Sequence, residues 1–356
     1  MAKGYVGKKE SGSVKNAPVP LFAALAASAV LAAFCASLTA CAKKEPTDAS
    51  QAETETESPA QQTEDKLLRI RRQGIFSAGG IVYGEEGGFD PVEGQFNQLG
   101  QTRHVDHANV LYQLPETETG LPMVFLHGYG QSRMCFMTTP DGRAGWSELF
   151  LRKGHGVYLV DQPGRGEAGS VSFPILIDNR ALDQGWYTLY RIGLWDSVFE
   201  GSQFPTGEEA LRQFFSQMTP STGGYDEAVI SDALVATFAE MKKLEAEAAE
   251  DAAKTMPAAR DGGILVTHEQ GSIAAWRAAA KTDDIKAIVA IEPNAFAFPE
   301  DEMPAPVETS YTTIAGMPMT KEDYEKLLEK PIVLYYGDYI PASEDTVPAF
   351  DFWRAP

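Results

Sequence analysis

Short apolar runs alternate along the chain with longer amphipathic stretches, and this alternation predicts its elements. Runs of Val, Ile and Leu without polar alternation are typical of strands buried on both faces of a sheet. Helices are predicted over residues 145–153 and 271–281. Strands are predicted over 74–83, 108–114, 123–128, 156–161, 262–268, 285–293 and 331–338. Strands that alternate with helices indicate the α/β class with a mostly parallel sheet.

The stretch between Gly169 and Gly262 is too long for an ordinary crossover between parallel strands. We treat about 170–260 as a lid-like insert. Its aromatic-rich segments either pack on the sheet or form a lid that lines a substrate pocket. A long helix closes the insert, with apolar residues at helical spacing: Ile230, Leu234, Phe238 and Met241.

The N-terminus has the pattern of a secretory signal. Residues 1–18 carry four lysines against one glutamate, and residues 20–41 carry no charge. The uncharged run ends in Leu-Thr-Ala-Cys at Cys41, which resembles the bacterial lipobox. That resemblance implies a signal peptide over 1–40, cleavage before Cys41 and acyl chains on its thiol. An uncleaved membrane helix is the alternative, since about 20 apolar residues span a bilayer.

These features predict three segments and a location. Residues 41–66 contain almost nothing apolar, so they cannot bury enough surface to offset the entropy of ordering and should form a flexible tether. The folded body then covers 67–356. A lipid anchor at Cys41 would hold it on the cell membrane or outer membrane, facing away from the cytoplasm.

Composition narrows the possible partners. The chain of 356 residues has a formal net charge of −20, and 44% of its residues are hydrophobic. A body that acidic repels phosphate backbones, so nucleic acid is not an expected partner. Cys135 is the only cysteine of the predicted body, so no internal disulfide is expected. We expect no metal and no cofactor.

Three loops follow three of the predicted parallel strands. They read His-Gly-Tyr-Gly-Gln-Ser at 127–132, Asp-Gln-Pro-Gly-Arg-Gly at 161–166, and Thr-His-Glu-Gln-Gly at 267–271. Ligands bind outside the carboxyl ends of the strands in open α/β sheets, so the loops should converge on one cleft.

These motifs resemble the α/β-hydrolase superfamily, and in particular secreted bacterial esterases that carry HG-x-G-x-S, D-x-PG-x-G and THSQG at these places. The resemblance covers roughly residues 72–353. It implies helices on both faces of the sheet and an esterase-like activity on a small-molecule substrate. It also implies that the backbone N–H groups of Tyr129 and Gln270 form an oxyanion hole. The 161–166 loop is expected to be structural.

The chain departs from this family at the nucleophile. A G-x-S-x-G elbow places serine on a strained strand-to-helix turn, but here Glu269 stands at the serine position. Gly271 keeps the second elbow glycine, and His268 is expected to be a structural histidine of the elbow. Ser272 falls inside the following helix and should point elsewhere.

A carboxylate in this position can still be a nucleophile. Some α/β-hydrolases that open epoxides or displace halides carry Asp at the equivalent place. A carboxylate attacks sp³ carbon usefully, whereas its attack on an ester gives an anhydride. Glu269 is also one methylene longer than aspartate, which changes its reach.

The second departure concerns the acid and the base. The order of catalytic residues in the family is nucleophile, acid, histidine. Glu292 matches the acid of the resembling esterases, and Asp338 is the alternative one strand later; the sequence leaves both open. His268 is the last of the five histidines, so none follows either acid. His104 and His107 could enter the site only by an unusual route.

The end of the chain carries a further expectation. The resembling family continues beyond the position of Pro356 with a strand, a histidine loop and a helix, so the last strand and helix are expected to be missing. A buried-type strand at 331–338 would then lie at an open sheet edge. A fragment of a longer active hydrolase is favoured over a noncatalytic lipoprotein that binds a small ligand. An intact esterase that uses an unrecognised residue is the third reading.

Overall fold

The computed structural model describes residues 67–178, 180–251, 261–340 and 351–356. The predicted signal peptide, the tether and Cys41 lie outside these ranges, so their assignments stay predictions. Within these ranges, none of the helices has the length and apolar character needed to cross a bilayer. The same ranges contain no group of His, Cys, Asp and Glu side chains placed to hold a metal ion.

Strands and helices alternate through the second half of the described chain. The strands are β1 (Ile70–Gly84), β2 (Thr102–Pro115), β3 (Met123–Leu126), β4 (Val157–Asp161), β5 (Leu176–Asp178), β6 (Gly193–Leu194), β7 (Ser197–Val198), β8 (Ser221–Gly223), β9 (Gly263–His268), β10 (Ile285–Ile291), β11 (Ala297–Pro299), β12 (Val307–Glu308), β13 (Thr313–Ile314), β14 (Met317–Met319) and β15 (Ile332–Tyr335). The helices are α1 (Trp146–Arg152), α2 (Asp183–Leu189), α3 (Glu208–Gln217), α4 (Glu227–Asp251), α5 (Gly271–Lys281), α6 (Lys321–Leu328) and α7 (Asp351–Arg354).

Seven strands form the central sheet in the order β1-β2-β4-β3-β9-β10-β15. The five strands from β4 to β15 in this order pair in parallel, while β1 pairs with β2 and β2 with β4 in antiparallel fashion. The predicted mostly parallel sheet is therefore confirmed. The strand predicted over 331–338 is shorter than expected, because the ladder with β10 ends at Tyr335.

Helices cover both faces of the sheet. Successive side chains of β3 point to opposite faces: Val124 and Leu126 join the core that contains α4 and α5, whereas the Phe125 ring packs 5.9 Å from that of Phe150 on α1. Because both faces are buried, continuous apolar strands are required, which is the pattern that predicted them.

The predicted insert divides into two parts with different positions. Residues 180–219, which we call the cap segment, contain α2 and α3 and contact the loop after β3. The N–H of Thr219 donates to the carbonyl of Gly130 at 2.9 Å. The long helix α4 instead packs in the main core, where its apolar residues are buried to 2% exposure or less: Ile230, Leu234, Phe238 and Met241.

Candidate functional site

The turn between β9 and α5 has the geometry of a nucleophile elbow. Glu269 has a φ of +47°, in the left-handed region that a side chain enters only when its surroundings hold it there. Gly271 begins α5, and a Cβ at that position would lie 2.7 Å from the carbonyl oxygen of His127. The glycine is therefore needed so that the helix can start against the loop after β3.

Threonine replaces the first elbow glycine without breaking the turn. Thr267 is fully buried, and its hydroxyl lies 2.8 Å from that of Ser272. Ser272 is equally buried in the first turn of α5 and does not line the cavity described below. The prediction that Ser272 points away from the site is confirmed.

The Glu269 carboxylate lies where an oxyanion hole is expected. The backbone N–H of Tyr129 donates to its Oε2 at 2.8 Å, and the Gln270 N–H is a second backbone donor to the same carboxylate. Asn294 Nδ2 donates to Oε1 at 2.9 Å. The structure thus brings together Tyr129, Gln270 and Glu269, with the residue's own carboxylate in place of a substrate oxyanion.

The surroundings of Glu269 act on its acidity in both directions. Burial raises the pKa of the Glu269 carboxyl above its ordinary value, because the charged form loses hydration. The hydrogen bonds from Tyr129, Gln270 and Asn294 oppose that rise, since they favour the anion. The negative charge of Glu292 adds a smaller upward effect on the pKa.

Glu292 is held by an arginine from the cap segment. It follows β10 with a φ of +49°, and its Oε1 accepts the N–H of Gly337 at 2.7 Å. The same oxygen forms an ion pair with Arg191, whose side chain is 4% exposed. The guanidinium also lies 4.5 Å from the centre of the Trp353 ring. A catalytic acid would orient a histidine here, but the partner of Glu292 is a permanent cation.

Asp338, the alternative acid, is placed differently. Its side chain is exposed, and its backbone carbonyl accepts a hydrogen bond from Arg191 Nε at 3.2 Å. Of the two acids that the sequence left open, Glu292 is the one whose charge acts on Glu269.

The histidines near the elbow have structural contacts. His268 Nδ1 lies 2.8 Å from Gln131 Oε1, and its ring stacks on Tyr190 with 6.2 Å between centroids. Burial lowers the pKa of His268. Burial also lowers the pKa of His127 to about 4, so this ring stays neutral beneath the loop. His104 and His107 lie on β2 and do not line the cavity.

The 161–166 loop supports the site without facing the cavity. Asp161 is buried, and its two oxygens accept the N–H groups of Arg133 at 2.8 Å and of Glu167 at 3.0 Å. Gln162 Nε2 donates to the carbonyl of His127 at 3.0 Å, which ties this loop to the one after β3. The three motif loops therefore lie together, as the strand order requires, but of the three only the loops at 127–132 and 267–271 line the cavity.

A cavity of about 500 Å³ opens beside the elbow. Its polar side is formed by Glu269, Gln270 and Asn294. Its remaining lining is largely aromatic and comes from the loop after β3, the cap segment, residues 311–312 and α7: Tyr129, Arg180, Trp186, Leu189, Tyr190, Tyr311, Thr312, Phe352 and Trp353. This volume suits a small organic molecule.

Two contributors to the site were missed by the sequence analysis. Asn294 comes two residues after the predicted acid in the loop after β10, so its position next to the cleft was a usable signal. Arg191 belongs to no motif and is separated by 101 residues from Glu292. No local sequence pattern could have predicted that ion pair.

A family model for the "Alpha/beta hydrolase family" matches residues 123–355. The chain belongs to this family. The match spans β3 to α7 and so includes the elbow, Glu292 and the cap segment.

Two relatives indicate which part of the α/β hydrolase family the chain resembles. A structure described as "a Novel Bacterial Esterase" is 25% identical, with a TM-score of 0.56, over 81% of this chain and 84% of that one. The "Probable secreted lipase phiG" of Fungal sp. (strain ATCC 74256) is 28% identical over 180 residues, which are 48% of this chain and 44% of the lipase. The chain thus spans less than half the length of that curated relative. The α/β hydrolase is esterase- and lipase-like.

Proposed function

We propose that this α/β hydrolase uses the Glu269 carboxylate as its nucleophile on an electrophilic sp³ carbon, such as that of an epoxide or an alkyl halide. The supporting observation is the orientation of the carboxylate. One oxygen accepts the N–H of Tyr129 and the other accepts from Asn294. The Gln270 N–H is a further backbone donor to the carboxylate, and Glu269 lines the cavity. A fixed carboxylate with open space before it is what a displacement at carbon requires.

The first step forms one bond and breaks one. A lone pair of a Glu269 oxygen attacks the carbon, and the pair of the breaking bond leaves on the halide or on the epoxide oxygen, which takes up a proton from solvent. The product is an ester of Glu269. The oxygen that did not attack becomes the ester carbonyl oxygen, and the Tyr129 and Gln270 amides would stabilise it as an oxyanion when water adds to the ester carbon.

Attack on a carboxylic ester is disfavoured by the same geometry. The donors that would receive the carbonyl oxygen of such a substrate already bind the carboxylate of Glu269. The acyl product would also be an anhydride. We therefore propose that this esterase-like protein acts on an electrophilic sp³ carbon and not on a carboxylic ester.

Removal of the alkyl group should be slow. Glu292 is neutralised by Arg191, and in the described part of the chain no histidine forms a hydrogen bond to it. General base catalysis commonly contributes about 10²–10⁴-fold, so an ester formed at Glu269 should persist.

Covalent labelling tests this proposal directly. The purified full-length chain is incubated with styrene oxide or benzyl bromide, and its peptides are analysed by mass spectrometry. We expect an adduct on Glu269 that is absent in Glu269→Gln and retained in Glu325→Gln, a change at an exposed glutamate of α6. Labelling that is equal in Glu269→Gln, or no adduct on Glu269, would contradict the proposal.

A noncatalytic protein that binds a small ligand is the second candidate. The Arg191–Glu292 ion pair favours it, because this pair occupies the acid that would orient a base. Reversible, saturable binding of small molecules in the cavity, with no adduct on Glu269 after long incubation, would support this candidate over the hydrolase.

We also propose that the protein is anchored outside the cytoplasm by acyl chains on Cys41. The Leu-Thr-Ala-Cys sequence after an uncharged run supports this. The protein should be found in the membrane fraction with a lipid-modified Cys41, and Cys41→Ser should prevent the modification. An unmodified Cys41 in the mature protein would refute the anchor.

A further inference from the structure

The Glu269 carboxylate at the cavity has no counter-charge among the described residues. Glu292 is paired with Arg191, and Arg180 at the cavity is paired with Asp178 at 2.6 Å. Glu269, in contrast, forms no salt bridge with any described residue, and its hydrogen-bond donors are neutral amides. A carboxylate held by neutral donors beside open space can accept a cation from a ligand.

The polar side of the cavity also has two side-chain amide oxygens without a donor among the described residues. Asn294 Oδ1 and Gln270 Oε1 are buried and have no hydrogen-bond partner in the part of the chain that the structure describes. The amide of Asn294 cannot be reversed, because its Nδ2 must face the Glu269 carboxylate. A buried acceptor without a donor costs free energy that an N–H group of a ligand would recover.

The aromatic lining suits a cation with an apolar body. The Trp186 ring lies 5.7 Å from that of Tyr129 and 5.8 Å from that of Tyr190. The Phe352 ring lies 5.1 Å from that of Trp353, which already carries the Arg191 guanidinium over its face. Aromatic faces attract cations and also bury apolar surface, so these walls favour an amphipathic ligand.

We propose that the cavity binds a small organic molecule with a protonated primary amine, whose ammonium group is received by Glu269, Asn294 and Gln270 and whose apolar body packs among the aromatic rings. Three N–H donors of a primary ammonium match three acceptor side chains, whereas a quaternary ammonium would leave the two amide oxygens without donors. This inference rests on the proposed function, since it names the class of molecule that the same cavity takes.

Calorimetry with three probes of similar shape tests the charge and the donors separately. The purified full-length chain is titrated with 2-phenylethylamine, with 2-phenylethanol and with the N,N,N-trimethyl form of the amine. We expect the affinity for the amine to exceed that for the alcohol by at least about tenfold, which corresponds to about 1.4 kcal/mol. The trimethyl form should bind more weakly than the amine because it has no N–H.

A variant pair assigns the effect to Glu269. Glu269→Gln should lower the affinity for the amine by about tenfold or more while the alcohol keeps its affinity, which also shows that the cavity remains folded. Glu325→Gln should change neither. Equal binding of amine and alcohol, equal amine binding by Glu269→Gln, or absence of amine binding would overturn the proposal. So would a trimethyl form that binds as tightly as the amine.

The two proposals can fail independently. Styrene oxide carries no amine, so labelling of Glu269 without amine preference would keep the nucleophile and reject the ligand class. Amine binding without labelling would keep the ligand class and reject the nucleophile.

Discussion

Two glutamates, Glu245 buried and Glu269 half-buried, lie near opposite ends of the strands, and their surroundings differ. Glu269 follows the carboxyl end of β9. Glu245 projects from α4 towards the start of β4. Its Oε1 is close to Gly156, at 2.9 Å from the point where a Cβ would lie if that residue had one. Burial is the largest influence on both and raises the pKa of each. The remaining influences then have opposite consequences.

Glu245 is surrounded by groups that favour its protonated form. The neighbouring Glu118 carboxylate raises its pKa further, and the opposing effects of Tyr158 and Arg71 leave that pKa at about 8. Glu269 instead receives N–H donors, which oppose the rise in its pKa because they favour the anion. Burial alone therefore does not distinguish the two carboxyl groups; Glu269 differs in having N–H donors that favour the anion and in lining a cavity.

The largest effect should follow removal of the cation beside Glu245. Arg71 donates to Glu118 Oε1 at 2.9 Å and to the carbonyl of Ala248 at 2.7 Å. Arg71→Met would leave buried carboxyl groups without their cation, and we expect a loss of about 3 kcal/mol in the free energy of unfolding. Urea denaturation of the purified protein measures it.

Arg69→Met is the matched control for that prediction. Arg69 lies two residues earlier on the chain and faces Glu116 at 3.8 Å, with both side chains more than half exposed. An exposed pair contributes about 1 kcal/mol or less, so this variant should change stability little. Equal losses of unfolding free energy in the two variants would show that burial of the Arg71–Glu118 pair does not increase its effect on stability.

A smaller effect is expected at the elbow. Gly271→Ala places a Cβ 2.7 Å from the backbone oxygen of His127, which cannot move without shifting the oxyanion-hole loop. We expect a loss of about 1–3 kcal/mol, together with weaker labelling of Glu269. Gly185→Ala in α2 is the control, since a Cβ there meets no atom of the described residues within 4 Å and alanine favours helix. A stable, normally labelled Gly271→Ala would contradict the close approach.

The raised pKa of Glu245 should make the free energy of unfolding depend on pH. The pKa of Glu245 is raised from 4.5 to about 8 in the folded state. The folded protein therefore holds this proton more tightly than the unfolded chain does. The stabilisation that protonated Glu245 gives to the folded state is fully present below pH 4.5 and is lost as pH rises through about 8. We expect wild-type stability to fall across this range by up to about 1.4 kcal/mol per pH unit.

Glu245→Gln should flatten that dependence, as measured by urea denaturation between pH 6.5 and 8.5. His127 acts in a different window: burial lowers its pKa from 6.5 to about 4, so its contribution is lost as pH falls through that interval. The His127 contribution is also the same in wild type and in Glu245→Gln, so it cancels in the difference between their free energies of unfolding. Parallel curves for wild type and Glu245→Gln would refute the assignment.

Most of the central sheet could be predicted from the sequence, because its strands depend on local sequence patterns. The strands β3, β4, β9 and β10 were predictable from continuous apolar runs. The Tyr129 and Gln270 donors were implied by the resemblance of the strand-end motifs to the α/β-hydrolase superfamily. Backbone donors depend on the turn and not on the side chain, so the substitution of serine by Glu269 did not hide them.

The parts that the sequence could not supply depend on distant contacts. Arg191 reaches Glu292 across 101 residues, and Glu245 reaches Tyr158 across 87. Neither pair has a spacing that indicates contact. The aromatic α7 residues also gave no sign that they line the cavity. Such contacts follow from how the cap segment and helices pack, which a single sequence does not report.

The smallest effect is expected from restoring the family nucleophile. Glu269→Ser would place a hydroxyl on the elbow and free the Tyr129 and Gln270 amides. The serine would still lack a base, because Glu292 remains paired with Arg191 and no histidine of the described residues bonds to it. Since a general base commonly contributes about 10²–10⁴-fold, we expect aryl-ester turnover to stay near the uncatalysed background. A p-nitrophenyl acetate assay on wild type, Glu269→Ser and Glu269→Ala checks this. Turnover by Glu269→Ser that is absent from Glu269→Ala would show that a base, with His268 the nearest in sequence, reaches the new hydroxyl.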